Sequence, residues 1–272
     1  MTPDRAEAPT AQPTRPTRAI LLPFALVAAA ATMVHIQLHE YSHAAVALAQ
    51  VGEAEVRGAV VFSPDKPDAQ EAVEAITGPV FSVVSGVVAL ALARGLHGGY
   101  LRAFLTWFGL VGIQNLWGYL MIAMIAPLGD TAVAFGIWGV PTAVQVALGL
   151  VGVAGMLGNS YLLAREITRS LSAPSEVLAA SVLTWLLATG ILAVVYTAAA
   201  FGAGADPEYL VITVVGPATA LVFAPMAIFF WTRTPHRRMP WDVGSVRTAA
   251  ILLALAVALV LVHALAGVRL GG

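Results

Sequence analysis

The sequence predicts an all-α polytopic membrane protein with about seven transmembrane helices and a small β-hairpin-like linker after the first span. Charged residues make up only 11% of the 272 residues, whereas a soluble domain carries roughly 25%. The mean hydropathy is +0.84, and apolar runs near the roughly 20 residues that cross a bilayer recur along the chain. The net charge of −1 gives no indication of a nucleic-acid partner, and the lack of cysteine excludes disulfides and thiolate metal ligands.

The apolar runs divide the chain into a tail and a single membrane domain. Residues 1–18 are polar and rich in proline, which predicts a disordered tail. The predicted spans are about 19–50, 72–95, 101–126, 142–164, 177–202, 209–231 and 247–268. The chemically informative residues lie in a three-span core, 19–131, and residues 132–272 are predicted to form accessory transmembrane helices of the same domain.

The linker 51–71 differs from the others in its alternating pattern. Glu53, Glu55 and Arg57 alternate with small or apolar residues, and Gly58 precedes a second apolar run. Alternation with a period of two, interrupted by a glycine, predicts a short β-hairpin. Two interpretations of this linker stay open: a solvated loop, or an exposed strand edge that pairs with an extended substrate.

The first span ends in an H-E-x-x-H motif, formed by His39, Glu40 and His43. On a helix, the two histidines lie one turn apart on the same face, where both imidazoles can bind one Zn²⁺. Glu40 then lies beside the metal as a candidate general base. Ionisable side chains inside a bilayer are costly and usually functional, which favours a metal site over a chance match.

A third metal ligand is predicted at Asp130. This residue follows Pro127 and Gly129 at the end of the third span, where irregular backbone is tolerated if it lines a polar cavity. The first and third spans run in the same direction, so Asp130 can approach His39 and His43. His35 is the alternative, but it lies eight residues before His43, about 12 Å along a helix. We therefore expect His35 to support the site or to be a core residue.

These motifs resemble those of the site-2 protease family of intramembrane zinc metalloproteases. That family carries H-E-x-x-H on one span, G-P-x-x-N on the next and N-x-x-P…D-G on a third. Here the second element is Gly78-Pro79-Val80-Phe81-Ser82, and the third comprises Asn115-Leu116, Pro127 and Gly129-Asp130. Ser82 stands where the family has asparagine, Thr131 replaces the glycine after the aspartate, and the spacing from Asn115 to Asp130 is longer than usual. The resemblance covers roughly residues 20–131.

The resemblance implies an enzyme that hydrolyses peptide bonds of membrane-embedded substrates. One Zn²⁺ per chain would be held by His39, His43 and Asp130, and Glu40 would act as general base. Asn115, Gln114 and Ser82 are alternative groups for polarising the substrate carbonyl. The partners expected are a membrane-protein substrate and the lipid bilayer. The alternative function is a non-catalytic zinc-binding membrane scaffold or chaperone, which would not need Glu40.

The distribution of basic residues predicts the orientation of the chain. With seven spans, eleven of the fourteen basic residues lie on the side of the amino terminus, and Arg57, Lys66 and Arg269 lie on the other. The positive-inside rule then places the amino terminus in the cytoplasm, and we expect a bacterial cell membrane as the location. The H-E-x-x-H motif would lie toward the outer face, whereas the family resemblance implies a zinc site nearer the cytosol.

Overall fold

The computed structural model describes residues 17–169, 171, 173–204, 207–234 and 245–271. This part of the chain is mainly helical, as the sequence predicts. The helices are α1 (Thr17–Val51), α2 (Asp68–Arg94), α3 (Gly99–Ile125), α4 (Asp130–Ile137), α5 (Thr142–Thr168), α6 (Pro174–Leu178), α7 (Thr184–Gly202), α8 (Pro207–Thr219) and α9 (Val246–Ala266). A π-helical turn, Ala179–Leu183, joins α6 to α7, and a 3-10 helix, Pro225–Arg233, follows α8. Apart from Thr17 and Arg18, the predicted disordered tail lies outside the described residues.

Within the described residues, six helices are long and apolar enough to cross a membrane. They are α1, α2, α3, α5, the continuous helix over 174–202, and α9. The predicted span over 209–231 is interrupted, because α8 ends at Thr219 and a short 3-10 helix follows. Pro217 lies inside α8 and Pro225 begins the 3-10 helix, and neither has a backbone N–H to donate.

The broken segment after α7 nevertheless carries the chain from one end of the helix bundle to the other. A Cβ built on Gly202, the last residue of α7, would lie 2.7 Å from Leu265 near the end of α9. After the break, the Thr234 hydroxyl lies 2.9 Å from that of Thr168, the last residue of α5. The described part of the chain therefore crosses the bundle seven times, with six continuous helices and one interrupted segment.

Helix α1 lies at the centre of the bundle. Its residues Ala28, Ala29, Ala30 and Ala31 are all fully buried, and small residues let neighbouring helices approach closely in a membrane. Both α3 and α9 pack against α1, and the Phe24 ring of α1 lies 5.1 Å from the buried Trp107 of α3. Because α1 is central, other helices surround the end of it that carries the H-E-x-x-H motif.

The predicted hairpin is part of a three-stranded antiparallel sheet. Strands β1 (Glu53–Arg57) and β2 (Val60–Phe62) form the hairpin, and β3 (Val268–Gly271) follows α9. The strand order is β2-β1-β3, so β3 pairs with the second edge of β1 and leaves β2 and β3 as the edge strands. The hairpin is not a solvated loop, because its turn packs beside α1, where Gln37 donates a hydrogen bond to the Gly58 carbonyl at 2.8 Å. We call this end of the bundle the sheet end.

The orientation of the bundle can be tested on a cysteine-free background. Asp65→Cys lies at the sheet end, and His97→Cys lies in the loop between α2 and α3 at the opposite end; both positions are exposed. From the positive-inside rule, we expect a membrane-impermeant maleimide to label Asp65→Cys on intact cells and His97→Cys only after lysis. The reverse pattern would show that the sheet end faces the cytosol.

Candidate metal centre

Three side chains meet at one point of the sheet end. The Nε2 atoms of His39 and His43 lie 3.1 Å apart, and Asp130 Oδ2 lies 3.0 Å from the first and 3.2 Å from the second. Two ligands on a tetrahedral zinc with bonds of about 2 Å lie about 3.3 Å apart. Both histidines are buried. The group formed by His39, His43 and Asp130 could therefore hold a metal ion, as the sequence predicts.

The two histidines are presented by successive turns of α1. Their rings meet edge to face, with centroids 4.8 Å apart. His43 Nδ1 donates a hydrogen bond to the Glu74 carbonyl of α2 at 2.7 Å. This bond places the proton of the neutral ring on Nδ1 and leaves the Nε2 lone pair for a metal.

Ser82 of α2 contacts Nδ1 of His39, as the Glu74 carbonyl contacts Nδ1 of His43. Its hydroxyl oxygen lies 2.8 Å from His39 Nδ1, 3.1 Å from Asn115 Nδ2 and 3.0 Å from His35 Nε2. If His39 Nε2 binds a metal, the proton of this ring is on Nδ1. Ser82 Oγ then accepts hydrogen bonds from His39 Nδ1–H and from the Asn115 amide. The Ser82 hydroxyl donates its own proton to His35 Nε2. These three bonds use the full capacity of a hydroxyl group, so Ser82 holds the His39 ring in one orientation.

Asp130 reaches the histidines through a turn between α3 and α4. Gly129 adopts a φ of 81°, a conformation that a residue with a side chain rarely adopts. The Thr131 hydroxyl then donates to the Tyr119 carbonyl at 2.8 Å and ties α4 to α3. Burial raises the pKa of the Asp130 carboxyl, but hydrogen bonds and charge from His39 and His43 outweigh it and hold that pKa well below its usual range. A carboxylate at this position can complete a ligand set with the two imidazoles.

Gly78 of α2 makes room for the ligand atoms. A Cβ built on it would lie 2.2 Å from His43 Nε2 and 2.6 Å from His39 Nε2. Farther along α2, a Cβ on Gly86 would lie 2.8 Å from the Gly109 carbonyl of α3. The small-residue stripe of Gly78, Ser82 and Gly86 thus packs α2 against both α1 and α3, and it leaves the space for a metal where a side chain would otherwise be.

The other residues predicted from the sequence lie outside the cluster of ligand atoms. His35 is fully buried, bonds to Ser82 and has no hydrogen-bond partner for its Nδ1, so it supports the site as expected. Ser82 and Asn115 lie at the Nδ1 side of His39, away from Nε2. Gln114 is buried and points to α5, where its oxygen lies 3.4 Å from Asn159 Nδ2. None of the three candidates for polarising a carbonyl therefore lies beside the ligand atoms.

Tyr119 is a site residue that the sequence motifs did not indicate. Its hydroxyl lies 3.5 Å from His39 Nε2, and its ring stacks on His39 at 5.7 Å with an interplanar angle of 9°. Tyr119 follows Asn115 by four residues, so both lie on the face of α3 that is turned to α1. That spacing is the one signal in the sequence that could have identified it.

Glu40 is the remaining polar residue of the motif. Its side chain is buried, and its carboxylate forms no hydrogen bond or ion pair with any residue that the structure describes. Glu40 adjoins His39 in the chain, so its carboxylate is available to bind a water molecule or to accept a proton.

Comparison with family models, with curated proteins and with solved structures finds no match to this chain.

Replacement of a ligand should remove the metal, whereas replacement of His35 should only weaken its binding. We expect His43→Ala and Asp130→Ala to lower the zinc content of the purified protein to a similar, nearly metal-free level. We expect His35→Ala to cost about 10–100-fold in affinity, because it acts through Ser82 and His39. Zinc per chain, measured by inductively coupled plasma mass spectrometry, gives the comparison. A metal-free His35→Ala protein and a fully loaded Asp130→Ala protein would contradict the ligand assignment.

Gly78→Ala should also remove the metal, although it changes no polar group. The added methyl group would lie 2.2 Å from His43 Nε2, so the ligand rings or α2 must move. Gly118→Ala is the matched control, because a Cβ at Gly118 of α3 meets no atom within 4 Å. We expect zinc loss in the first variant and normal zinc in the second, with both proteins helical by circular dichroism. Normal zinc in Gly78→Ala would show that α2 does not limit the site.

Proposed function

We propose that this chain is an intramembrane zinc metalloprotease of the site-2 protease type, which hydrolyses peptide bonds of membrane-embedded substrates. The observation that carries the proposal is the cluster of His39, His43 and Asp130 ligand atoms within 3.2 Å of one another, with Glu40 next to it in the chain. Two imidazoles and one carboxylate form the ligand set of several catalytic zinc sites that keep one position open.

The position of the cluster supports a substrate in the membrane. His39 and His43 lie in α1, and Asp130 follows α3; both helices are long and apolar enough to cross a membrane. Both histidines are buried, and Gly78 and the Glu74 carbonyl of α2 lie against them. A substrate beside these helices in the bilayer would bring a peptide bond close to the ligand atoms.

Each residue then has a defined task in the proposed reaction. His39, His43 and Asp130 would hold a zinc ion, which when bound polarises a carbonyl and lowers the pKa of a water molecule toward about 7. Glu40 accepts a proton as the water oxygen attacks the carbonyl carbon of the scissile bond. Glu40 then returns this proton to the amide nitrogen as the C–N bond breaks.

Tyr119 is the group best placed to donate a hydrogen bond to the substrate carbonyl oxygen. Its hydroxyl is on the Nε2 side of His39, at 3.5 Å, whereas Ser82 and Asn115 lie on the Nδ1 side. A preorganised donor at the developing negative charge is often a large contribution to catalysis. We assign this role to Tyr119 in place of the three candidates from the sequence.

The sheet offers a way to hold a substrate extended. A helical segment has its carbonyls engaged and must unwind before hydrolysis, and an extended segment can add to an edge strand. β1 is paired on both sides, which leaves β2 and β3 as the free edges. We propose that the addition uses β2, because β2 leads into the linker where Lys66 pairs with Glu74 of α2. The Glu74 carbonyl accepts the bond from His43, and this connection links the strand to the metal ligands.

Replacement of Glu40 separates catalysis from metal binding. We expect Glu40→Gln to abolish proteolysis while zinc stays near one per chain, because the amide cannot accept the proton. Mass spectrometry of peptides from membranes of expressing cells would identify new chain termini inside membrane spans, present with the unaltered protein and absent with Glu40→Gln. The same termini in both samples would contradict a protease mechanism and favour a zinc-binding scaffold or chaperone. Iron in place of zinc would contradict the metal assignment.

Replacement of Tyr119 tests its role as a donor. We expect Tyr119→Phe to keep its zinc and its fold, since the ring still stacks on His39. Cleavage of the same membrane peptides should fall by about 10²–10³-fold, the cost typical of a lost oxyanion donor. Cleavage at the unaltered rate would show that the Tyr119 hydroxyl does not contact the reacting carbonyl.

A further inference from the structure

A cleft lined by arginine lies at the end of the bundle opposite the sheet. It opens between the last turns of α2, the first turns of α3 and the last turns of α5, and its empty volume, including the part open to solvent, is about 500 Å³. Its apolar wall includes Leu90, Leu110 and Leu162. Its charged lining residues are Arg94, Arg102, Arg165, Glu166 and Arg169. We refer to it as the arginine cleft.

The charges of the arginine cleft are not balanced within the described part of the chain. Arg102 donates to Glu166 Oε1 through Nε at 2.9 Å, and Arg169 lies 3.2 Å from Glu166 Oε2. Both carboxylate oxygens are therefore engaged. Arg94 and Arg165 are exposed and form no ion pair with any described residue, although the Arg165 guanidinium lies 6.0 Å from the centre of the Tyr161 ring. Four cations with one anion leave an excess of three positive charges around a concave surface.

This arrangement is suited to a phosphate group. The guanidinium group is planar and offers paired donors that match phosphate oxygens. Thr106, a buried residue, adds a hydroxyl group to the lining. An anion in the arginine cleft would relieve the repulsion between the four arginines and pair with Arg94 and Arg165.

The location indicates where the phosphate comes from. The cleft lies at the ends of helices that are long and apolar enough to cross a membrane. Lipid headgroups would lie at these ends, and the leucine wall would contact an acyl chain. The same end carries most of the basic residues and is predicted to face the cytoplasm, where basic pockets between transmembrane helices bind anionic lipid headgroups. We infer that the arginine cleft binds one anionic phospholipid, with its phosphate on Arg94 and Arg165 and an acyl chain against Leu90 and Leu162.

Lipid binding can be measured on the purified, delipidated full chain. Native mass spectrometry would count the molecules of phosphatidylglycerol or phosphatidylcholine that the protein retains as each lipid is titrated. We expect one phosphatidylglycerol per chain at low lipid and little phosphatidylcholine. In Arg94→Gln/Arg165→Gln, the phosphatidylglycerol affinity should fall by roughly tenfold or more, because two cations near the phosphate are lost. Both side chains are exposed, so the variant should unfold at the same temperature as the unaltered protein without added lipid.

Arg233→Gln/Arg247→Gln is the matched control. It removes the same charge from exposed positions at the same end of the bundle, since Thr234 contacts α5 and Ser245 contacts Tyr100 of α3. We expect it to bind phosphatidylglycerol like the unaltered protein. An equal loss of affinity in the control would overturn the proposal in favour of general charge attraction. Displacement of phosphatidylglycerol by millimolar inorganic phosphate would overturn the assignment of a lipid in favour of a soluble anion.

Discussion

The close approach of α2 to α1 and α3 is the constraint on which the site depends. Helices in a bilayer are not pressed together by the burial of apolar surface, so tight contacts between small residues must hold them. Along α2, Gly78 faces the imidazoles of α1, and Gly86 faces the backbone of α3 at Gly109. The distance between α2 and α1 at this contact determines whether the Nε2 atoms of His39 and His43 can bind the same metal ion. The geometry of the candidate metal centre therefore depends on residues that have almost no side chain.

The polar residues behind the candidate ligands form a hydrogen-bond network. In a membrane interior, every polar group of such a network needs a partner. An unpaired polar group is costly where water is absent, whereas a fully satisfied network rigidifies a single arrangement. Ser82 uses all its hydrogen-bonding capacity on residues from α1 and α3. Asn115 of α3 brings an amide next to Ser82 of α2. The network therefore requires α2 and α3 to stay in contact.

The sequence was sufficient to predict the fold class, the hairpin and the meeting of His39, His43 and Asp130, because each depends on local periodicity or on the direction of successive spans. It was not sufficient for three features that depend on distant contacts. The pairing of β3 with β1 joins segments more than 200 residues apart. The break in 209–231 depends on how Pro217 and Pro225 are accommodated, since proline is tolerated in many transmembrane helices. Tyr119 belongs to the site only because its ring stacks on His39.

The position of β3 has a consequence for how the protein is made. β1 is synthesised early, and the strand that covers its second edge begins at Val268, 211 residues after Arg57. At about 5–20 residues per second, ribosomes need roughly 10–40 s for that length. During this interval β1 has been translated without its second partner strand, and the sheet beside the metal ligands is incomplete. Completion of the sheet therefore follows the insertion of α9, and a nascent chain truncated before that helix would hold the candidate ligand residues without β3.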